Sequence, residues 1–210
     1  RGSKVVILGL NGAGKTTTLR IMSGIEEPSN GRVELGHGAR LGYYAQEHET
    51  LDVARSVLDN MKSSSPNLND TDVRKVLGSF LFSGDDVEKP AKVLSGGEKT
   101  RLALAMLVVS AANVLLLDEP TNNLDPASRR TLISLLRQFT HTKIIATHDL
   151  DMVMDLCTRC IVMKDGSILA DAPVPDIFAD RSLLEEARLE QPLSYLLMRQ
   201  ERQRNNSGAS

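Results

Sequence analysis

Three short apolar runs interrupt an otherwise mixed chain: Lys4-Val5-Val6-Ile7-Leu8, Val114-Leu115-Leu116-Leu117 and Lys143-Ile144-Ile145-Ala146-Thr147. Each has the length of a strand and is rich in branched aliphatics. None alternates with polar residues, the pattern of strands covered on both faces of a parallel sheet. Helical periodicity fills much of the rest. Residues 15–23 have helical composition and stop at Gly24, a residue that takes the left-handed terminal conformation at little cost. Leu51, Ala54, Leu58 and Met61 fall on one helical face, and Val73, Val76, Leu77, Phe80 and Leu81 on another. No strand pattern occurs between Gln46 and Val93, so a helical insertion within an α/β core is expected.

Residues 99–111 read as a long apolar helix, announced by Ser95 and Glu98 at capping-box spacing. Asp125-Pro126 opens another, with Asp as N-cap and Pro in the first helical position, running to about Phe139. Residues 32–35 and 39–45 read as short strands about a Gly36-His37-Gly38 turn, and 149–157 as a helix. A hairpin of 160–163 and 167–170 is expected around Lys164-Asp165-Gly166. Helices near 176–190 and 193–202 follow, with disorder from Asn205. The expected organisation is an α/β core of mostly parallel sheet over 1–46 and 94–175. A helical subdomain covers 47–93, C-terminal helices 176–204 and a disordered tail 205–210.

The candidate chemistry sits at the ends of the apolar runs. Gly9-Leu10-Asn11-Gly12-Ala13-Gly14-Lys15-Thr16 fits a phosphate-binding loop, placed between a strand and a helix as that chemistry requires. Its glycines let backbone N–H groups curl around phosphate oxygens, and the helix N-terminus adds positive potential. Lys15 is placed to reach the β- and γ-phosphates, Thr16 to ligate Mg²⁺, and Thr17 to reach the α-phosphate. Asp118 and Glu119 end the second apolar strand, where an α/β sheet positions its ligand. Asp118 suits Mg²⁺ coordination and Glu119 suits polarising an attacking water. His148 ends the third strand and reads as a γ-phosphate contact. Leu94-Ser95-Gly96-Gly97-Glu98 reads equally as a well-capped helix or as a second anion-accepting helix end.

Composition narrows the partners. A chain of 210 residues with 41% hydrophobic and 25% charged content can bury a full core. A net charge of −2, with 3% aromatics and no Trp, supplies neither an overall basic surface nor a base-stacking platform for nucleic acid. No apolar run approaches the ~20 residues of a membrane span. Arg1-Gly2-Ser3 leads straight into the first strand, so no secretory leader is expected and Arg1 does not read as a native start. Cys157 and Cys160 read as two reduced thiols of a cytoplasmic protein.

Taken in order, these motifs resemble those of the ATP-binding cassette (ABC) ATPases across nearly the whole chain. Residues 9–16 match the Walker A motif, Gln46 the Q-loop and 94–98 the signature. Residues 114–119 match Walker B with its catalytic Glu119, Asn122-Asn123-Leu124-Asp125 the D-loop, and His148 the switch histidine. The resemblance implies Mg²⁺-dependent ATP binding and hydrolysis. Asn11, Gly12, Ala13, Gly14, Lys15, Thr16 and Thr17 would bind nucleotide, Thr16, Gln46 and Asp118 the metal, and Glu119, His148 and Gln46 would serve catalysis. It also implies a head-to-tail pair of cassettes, in which Ser95, Gly96, Gly97 and Glu98 of one chain face the ATP held by the other.

The first 128 residues or so look like the ABC-F proteins, soluble factors that act on ribosomes, through Gly42-Tyr43-Tyr44-Ala45-Gln46-Glu47, residues 94–105 and Thr121-Asn122-Asn123-Leu124-Asp125. From about Lys143 the chain is similar to ATPase subunits of energy-coupling-factor cobalt and vitamin importers. Residues 147–153, Asp165-Gly166-Ser167-Ile168 and Leu189-Glu190-Gln191-Pro192-Leu193 carry that likeness. A hybrid fits better than either alone. ABC-F proteins carry two cassettes where one is present here. The family's β-segment bearing an adenine-stacking aromatic is not expected here, as residues 1–3 lead directly into the first strand, so phosphate contacts are expected to dominate nucleotide binding. The expected partners are a second ABC domain and either the ribosome or a transmembrane transporter subunit. The signature region tips the balance towards the ribosome. The transport motor, peripheral on the cytoplasmic face of a membrane, and an isolated nucleotide-binding module are the alternatives.

Overall fold

The computed structural model describes residues 2–45, 51–122 and 124–207. The three apolar runs form strands β1 (Lys4–Leu8), β3 (Val114–Asp118) and β4 (Thr142–Thr147), joined by β2 (Leu41–Tyr44), β5 (Arg159–Lys164) and β6 (Ser167–Pro173). The sheet order is β2-β3-β4-β1-β5-β6, parallel except for the β5–β6 hairpin. The chain starts at β1, crosses to the far edge, returns through β3 and β4, then passes β1 to β5. Strand order therefore reverses beside β1, where a parallel sheet opens a crevice at its carboxyl ends.

Alternation along the strands divides the core between two faces. Ile7, Leu116 and Ala146 pack with Leu19 of helix α1 (Lys15–Ser23) on one face. On the other face Val6, Leu8, Cys160 and Val162 meet the C-terminal helices. Beside them Leu115, Leu117 and Ile145 meet α4 (Gly96–Val109) and α5 (Pro126–Gln138). Helices α2 (Val57–Ser64) and α3 (Asp70–Ser79) place Val57, Leu58, Met61, Val73 and Leu77 in that same cluster. The helical insertion thus shares a continuous core with the sheet. Burying a Leu or Met side chain there stabilises by about 1.5–3 kcal/mol, so the subdomain is held by packing.

Five expectations are corrected. Residues 32–35 form no strand and are exposed, and β2 pairs parallel with β3 instead of closing a hairpin about residues 36–38. Their local alternation suits a strand, but no described strand lies alongside to supply the hydrogen bonds. Helix α2 starts only at Val57, capped by Ser56, leaving Ala54 exposed. Buried Asn60 explains the shift: its side-chain amide donates to the carbonyls of Asp52 and Ser56 and accepts from Asp52 N–H, folding the preceding loop over the helix.

Helix α4 begins at Gly96, so both signature glycines lie in its first turn. Residues 176–190 are not one helix: α7 (Val174–Ala179) stops at Asp180, whose carboxylate caps α8 (Arg181–Glu186) through Leu183 N–H at 3.0 Å. Helix α9 (Leu193–Ser207) continues through 205–207, where disorder was expected, because its polar residues are compatible with a solvated helix. The final strand-end helix, α6 (Leu150–Leu156), falls where expected. Among the described residues no helix is long and apolar enough to cross a membrane.

Candidate active site

Strand register brings the catalytic candidates together. Leu8 lies opposite Thr147, and Asp118 opposite Ala146, so Gly9, Glu119 and His148 all emerge at one edge of the central three strands. The loop after β1 turns through Gly12 and Gly14, both at positive φ. Gly9 has no room for a Cβ, which would lie 2.5 Å from the Met163 carbonyl oxygen. The N-cap of α1 is Gly14, and among the described residues no side chain caps its amide end, which faces the crevice. Asn11, Gly12, Thr16 and Thr17 are exposed there, whereas Ala13 is buried against the hairpin, accepting a bond from Gly166 N–H.

Lys15 is buried, an expensive place for an ammonium unless it is paired. Its Nζ donates to the carbonyls of Gly9 at 2.8 Å and Leu10 at 3.3 Å, and lies 3.3 Å from Glu119 Oε1. The other Glu119 oxygen, Oε2, lies 3.0 Å from His148 Nδ1 and accepts from His148 N–H at 3.3 Å. Glu119 is itself buried and held at φ 44, a conformation that costs a non-glycine residue of order 1 kcal/mol or more. Its N–H donates to Ala146 at 2.8 Å, fixing the strained residue to β4.

Asp118 is 1% exposed, with Oδ1 buried and, among the described residues, without a hydrogen-bond partner. Burial pushes its carboxyl above the usual range and neighbouring Glu119 adds to this, while hydrogen bonds from the Thr16 and Tyr43 hydroxyls and the charge of Lys15 oppose it. A buried carboxylate with one oxygen unpartnered, and a threonine hydroxyl bonded to the same group, offers hard-oxygen donors suited to Mg²⁺. Among the described residues no three His, Cys, Asp or Glu side chains cluster as a metal cage. Gln46, expected to join this pair, lies outside the described residues.

The signature residues occupy a different helix end. Ser95 and Glu98 make the reciprocal capping box, with Ser95 N–H donating to Glu98 Oε2 at 2.7 Å. Ser95 and Gly96 are exposed, and among the described residues Lys15 bonds to the carbonyls of Gly9 and Leu10, not to this helix end. A Cβ on Gly97 would lie 2.8 Å from Ser128 Oγ, so the glycine permits close approach of α4 to α5. Asp125 caps α5, accepting from Ala127 and Ser128 N–H at 2.9 and 3.0 Å.

Sequence reasoning missed two cations that fix helix α5, one half-buried in an ion pair and one buried on backbone carbonyls. Arg129 forms a two-point bond to Asp149, directly after His148, and Lys143 seals the end of α5 by donating to the Leu136 and Phe139 carbonyls. The signal available was slight. Arg129 lies one turn beyond Asp125, and Lys143 is the one charge in a buried strand.

A cationic loop at a helix start, an uncommitted metal-ligand oxygen and a carboxylate–imidazole pair within one crevice are matched to a nucleoside triphosphate and its hydrolysis. This defines a P-loop ATPase domain. More narrowly, the chain belongs to the ABC transporter family, whose profile matches residues 1–122. It is 39% identical over 209 residues, 92% of this chain and 84% of the relative, to a putative ABC transporter ATP-binding protein of Geobacter sulfurreducens. It is 33% identical over 190 residues to ABC transporter F family member 2 of Arabidopsis thaliana, covering 90% of this chain but only 28% of that protein. Among solved structures, cbiO1 from Clostridium perfringens, part of the ABC transporter complex cbiONQ, superposes with a TM-score of 0.72 at 30% identity. That match covers 95% of this chain and 88% of the other. The chain is accordingly an ATPase domain of the ABC type.

Proposed function

We propose that this domain is the ATP-hydrolysing motor of a transport assembly, acting as a head-to-tail pair. The observation that carries the hydrolytic part is the continuous contact Lys15–Glu119–His148 beside the Thr16–Asp118 pair. Lys15 binds the β- and γ-phosphates, and Glu119 orients and deprotonates the attacking water. His148, paired with Glu119 and more than half exposed to the crevice, contacts the γ-phosphate. Thr16 and Asp118, with Gln46, would hold Mg²⁺, which when bound neutralises charge developing on the phosphate oxygens. The exposed end of α4 at Ser95 supplies the surface that closes on the ATP of a partner cassette, and Asp125 organises the neighbouring turn.

The transport reading is supported by similarity running through most of both chains in the Geobacter protein and in cbiO1. A ribosome-associated reading is supported by two Arabidopsis F-family relatives, of each of which the chain spans about a quarter. Pull-down of a transmembrane subunit against co-sedimentation with ribosomes separates the two. For the site itself, Lys15→Ala is expected to abolish tight Mg·ATP binding in isothermal titration. An unchanged dissociation constant would refute the phosphate-loop assignment.

A further inference from the structure

We propose that Arg129 is a positioning residue for hydrolysis: it clamps Asp149, and through it sets His148 against Glu119. Arg129 Nε and Nη2 each donate at 2.7 Å, one to each oxygen of the Asp149 carboxylate. The pair is largely withdrawn from water, with side chains 30% and 19% exposed. Thr121 Oγ1 donates to the same carboxylate at 3.4 Å, and Asp149 N–H donates to Thr147 Oγ1 at 3.0 Å.

These bonds close a ring through the catalytic pair. Glu119 holds His148 by N–H and Nδ1, while Thr121, two residues after Glu119, holds Asp149, one residue after His148. The ends of β3 and β4 are therefore tied twice, once by the catalytic groups and once by the groups beside them. Capping α6 needs only the bond that Asp149 already accepts from Met152 N–H at 3.1 Å. The guanidinium fork from a different helix goes beyond that requirement. Burial alone would raise the Asp149 carboxyl, and the Arg129 fork overcomes it, holding the group charged below the ordinary carboxylate range.

Arg129 lies in the first turn of α5, which Asp125 caps, so the clamp joins the D-loop helix to the switch histidine. Arg137 and Asp155 pair between the far ends of the same two helices, so α5 and α6 are pinned at two points. His148 itself is 53% exposed and has little packing to hold its ring. Its placement depends on the backbone on either side, which is the part the clamp holds. A fork of this kind is specific to Arg: Lys keeps the charge but not the two parallel bonds.

The inference rests on the proposed roles of Glu119 and His148, and the experiment separates the two claims. Single-turnover phosphate release and Mg·ATP affinity are measured for Arg129→Ala, Arg129→Lys, His148→Ala and the double variant Arg129→Ala/His148→Ala. Since small misplacements of reacting groups cost up to ~10²-fold, Arg129→Ala should lose about 10–100-fold in turnover, and Lys should rescue it only in part. ATP affinity and KM should stay within about twofold, because no nucleotide contact is removed. In the His148→Ala background the same change should cost less than about twofold, since coupled residues are not additive. Equal fractional losses in both backgrounds would overturn the inference and leave the site reading intact. His148→Ala with parental turnover would overturn both. Should Arg129→Ala not fold, judged by its melting profile, Arg129→Gln carries the same comparison.

Discussion

Glu119→Gln probes the point where binding and chemistry share one group. Glu119 lies 3.3 Å from Lys15 and 3.0 Å from His148, so its carboxylate and an ATP phosphate compete for one ammonium. At an effective dielectric near 20, unit charges 3.3 Å apart attract by about 5 kcal/mol. Most of that is offset by the cost of desolvating the two charges. Two carbonyl bonds also continue to hold Lys15 when the carboxylate is neutralised. A net gain of about 1.4 kcal/mol remains, or roughly tenfold tighter ATP binding.

Chemistry moves the other way. Gln is nearly isosteric and keeps an acceptor for His148 N–H, but it is a far poorer base, so turnover should fall by ~10²–10⁴-fold. Titration calorimetry with Mg·ATP measures the first effect and single-turnover phosphate release the second. Light scattering with and without Mg·ATP then reports whether uncleaved nucleotide holds two chains together. Hydrolysis at the parental rate would remove Glu119 as the base. Weakened ATP binding would refute the competition for Lys15. Stopped turnover in a protein that stays monomeric would leave the carboxylate's role standing and refute the paired cassettes.

Two further outcomes follow from buried charges. Asp118 has its carboxyl raised by burial, so its contribution to stability is greatest at low pH and is lost as pH rises through that raised value. Asp118→Asn should therefore stabilise the protein near neutral pH by about 1–2 kcal/mol, several degrees in melting temperature, while abolishing Mg²⁺-dependent stabilisation by ATP; a lower melting temperature would count against the buried orphan oxygen. Lys143 has its pKa lowered by burial to about 8, so the unfolded chain binds the extra proton between there and the ordinary 10.5, and stability conferred by this group rises across that window. Denaturant melts of Lys143→Met should show that rise flattened relative to the parent, and parallel pH profiles would exclude it.

How much was legible in the chain follows from which forces acted locally. β1, β3 and β4 could be read because strands buried on both faces must be apolar throughout, which leaves a visible run. The site followed because Gly9, Glu119 and His148 stand one residue beyond those strands, and parallel register aligns the ends. The strand expected over residues 32–35 failed for the opposite reason. Alternation describes a local preference, whereas a strand exists only if another comes beside it. The helix expected from Leu51 failed because a single buried amide, Asn60, bonds better to a folded-back loop than the loop would to a helix.

The same distinction explains why the candidate catalytic residues were visible and their supports were not. Lys15 opens the helix that follows β1, and Asp118 and Glu119 stand at the end of β3, so spacing in sequence reports them. The Arg129–Asp149 clamp joins two helices 20 residues apart in the chain, and only the rotation of each helix against the sheet decides that those side chains meet. Lys143 looks anomalous in a buried strand until its Nζ is placed on the carbonyl end of α5, where a cation is favoured and satisfies otherwise open acceptors. Both cations act on α5, one at each end: Lys143 closes its carbonyl terminus, and Arg129 ties its first turn to the residue after His148. The helix that carries Asp125 is therefore fixed along its length against the strands bearing Glu119 and His148.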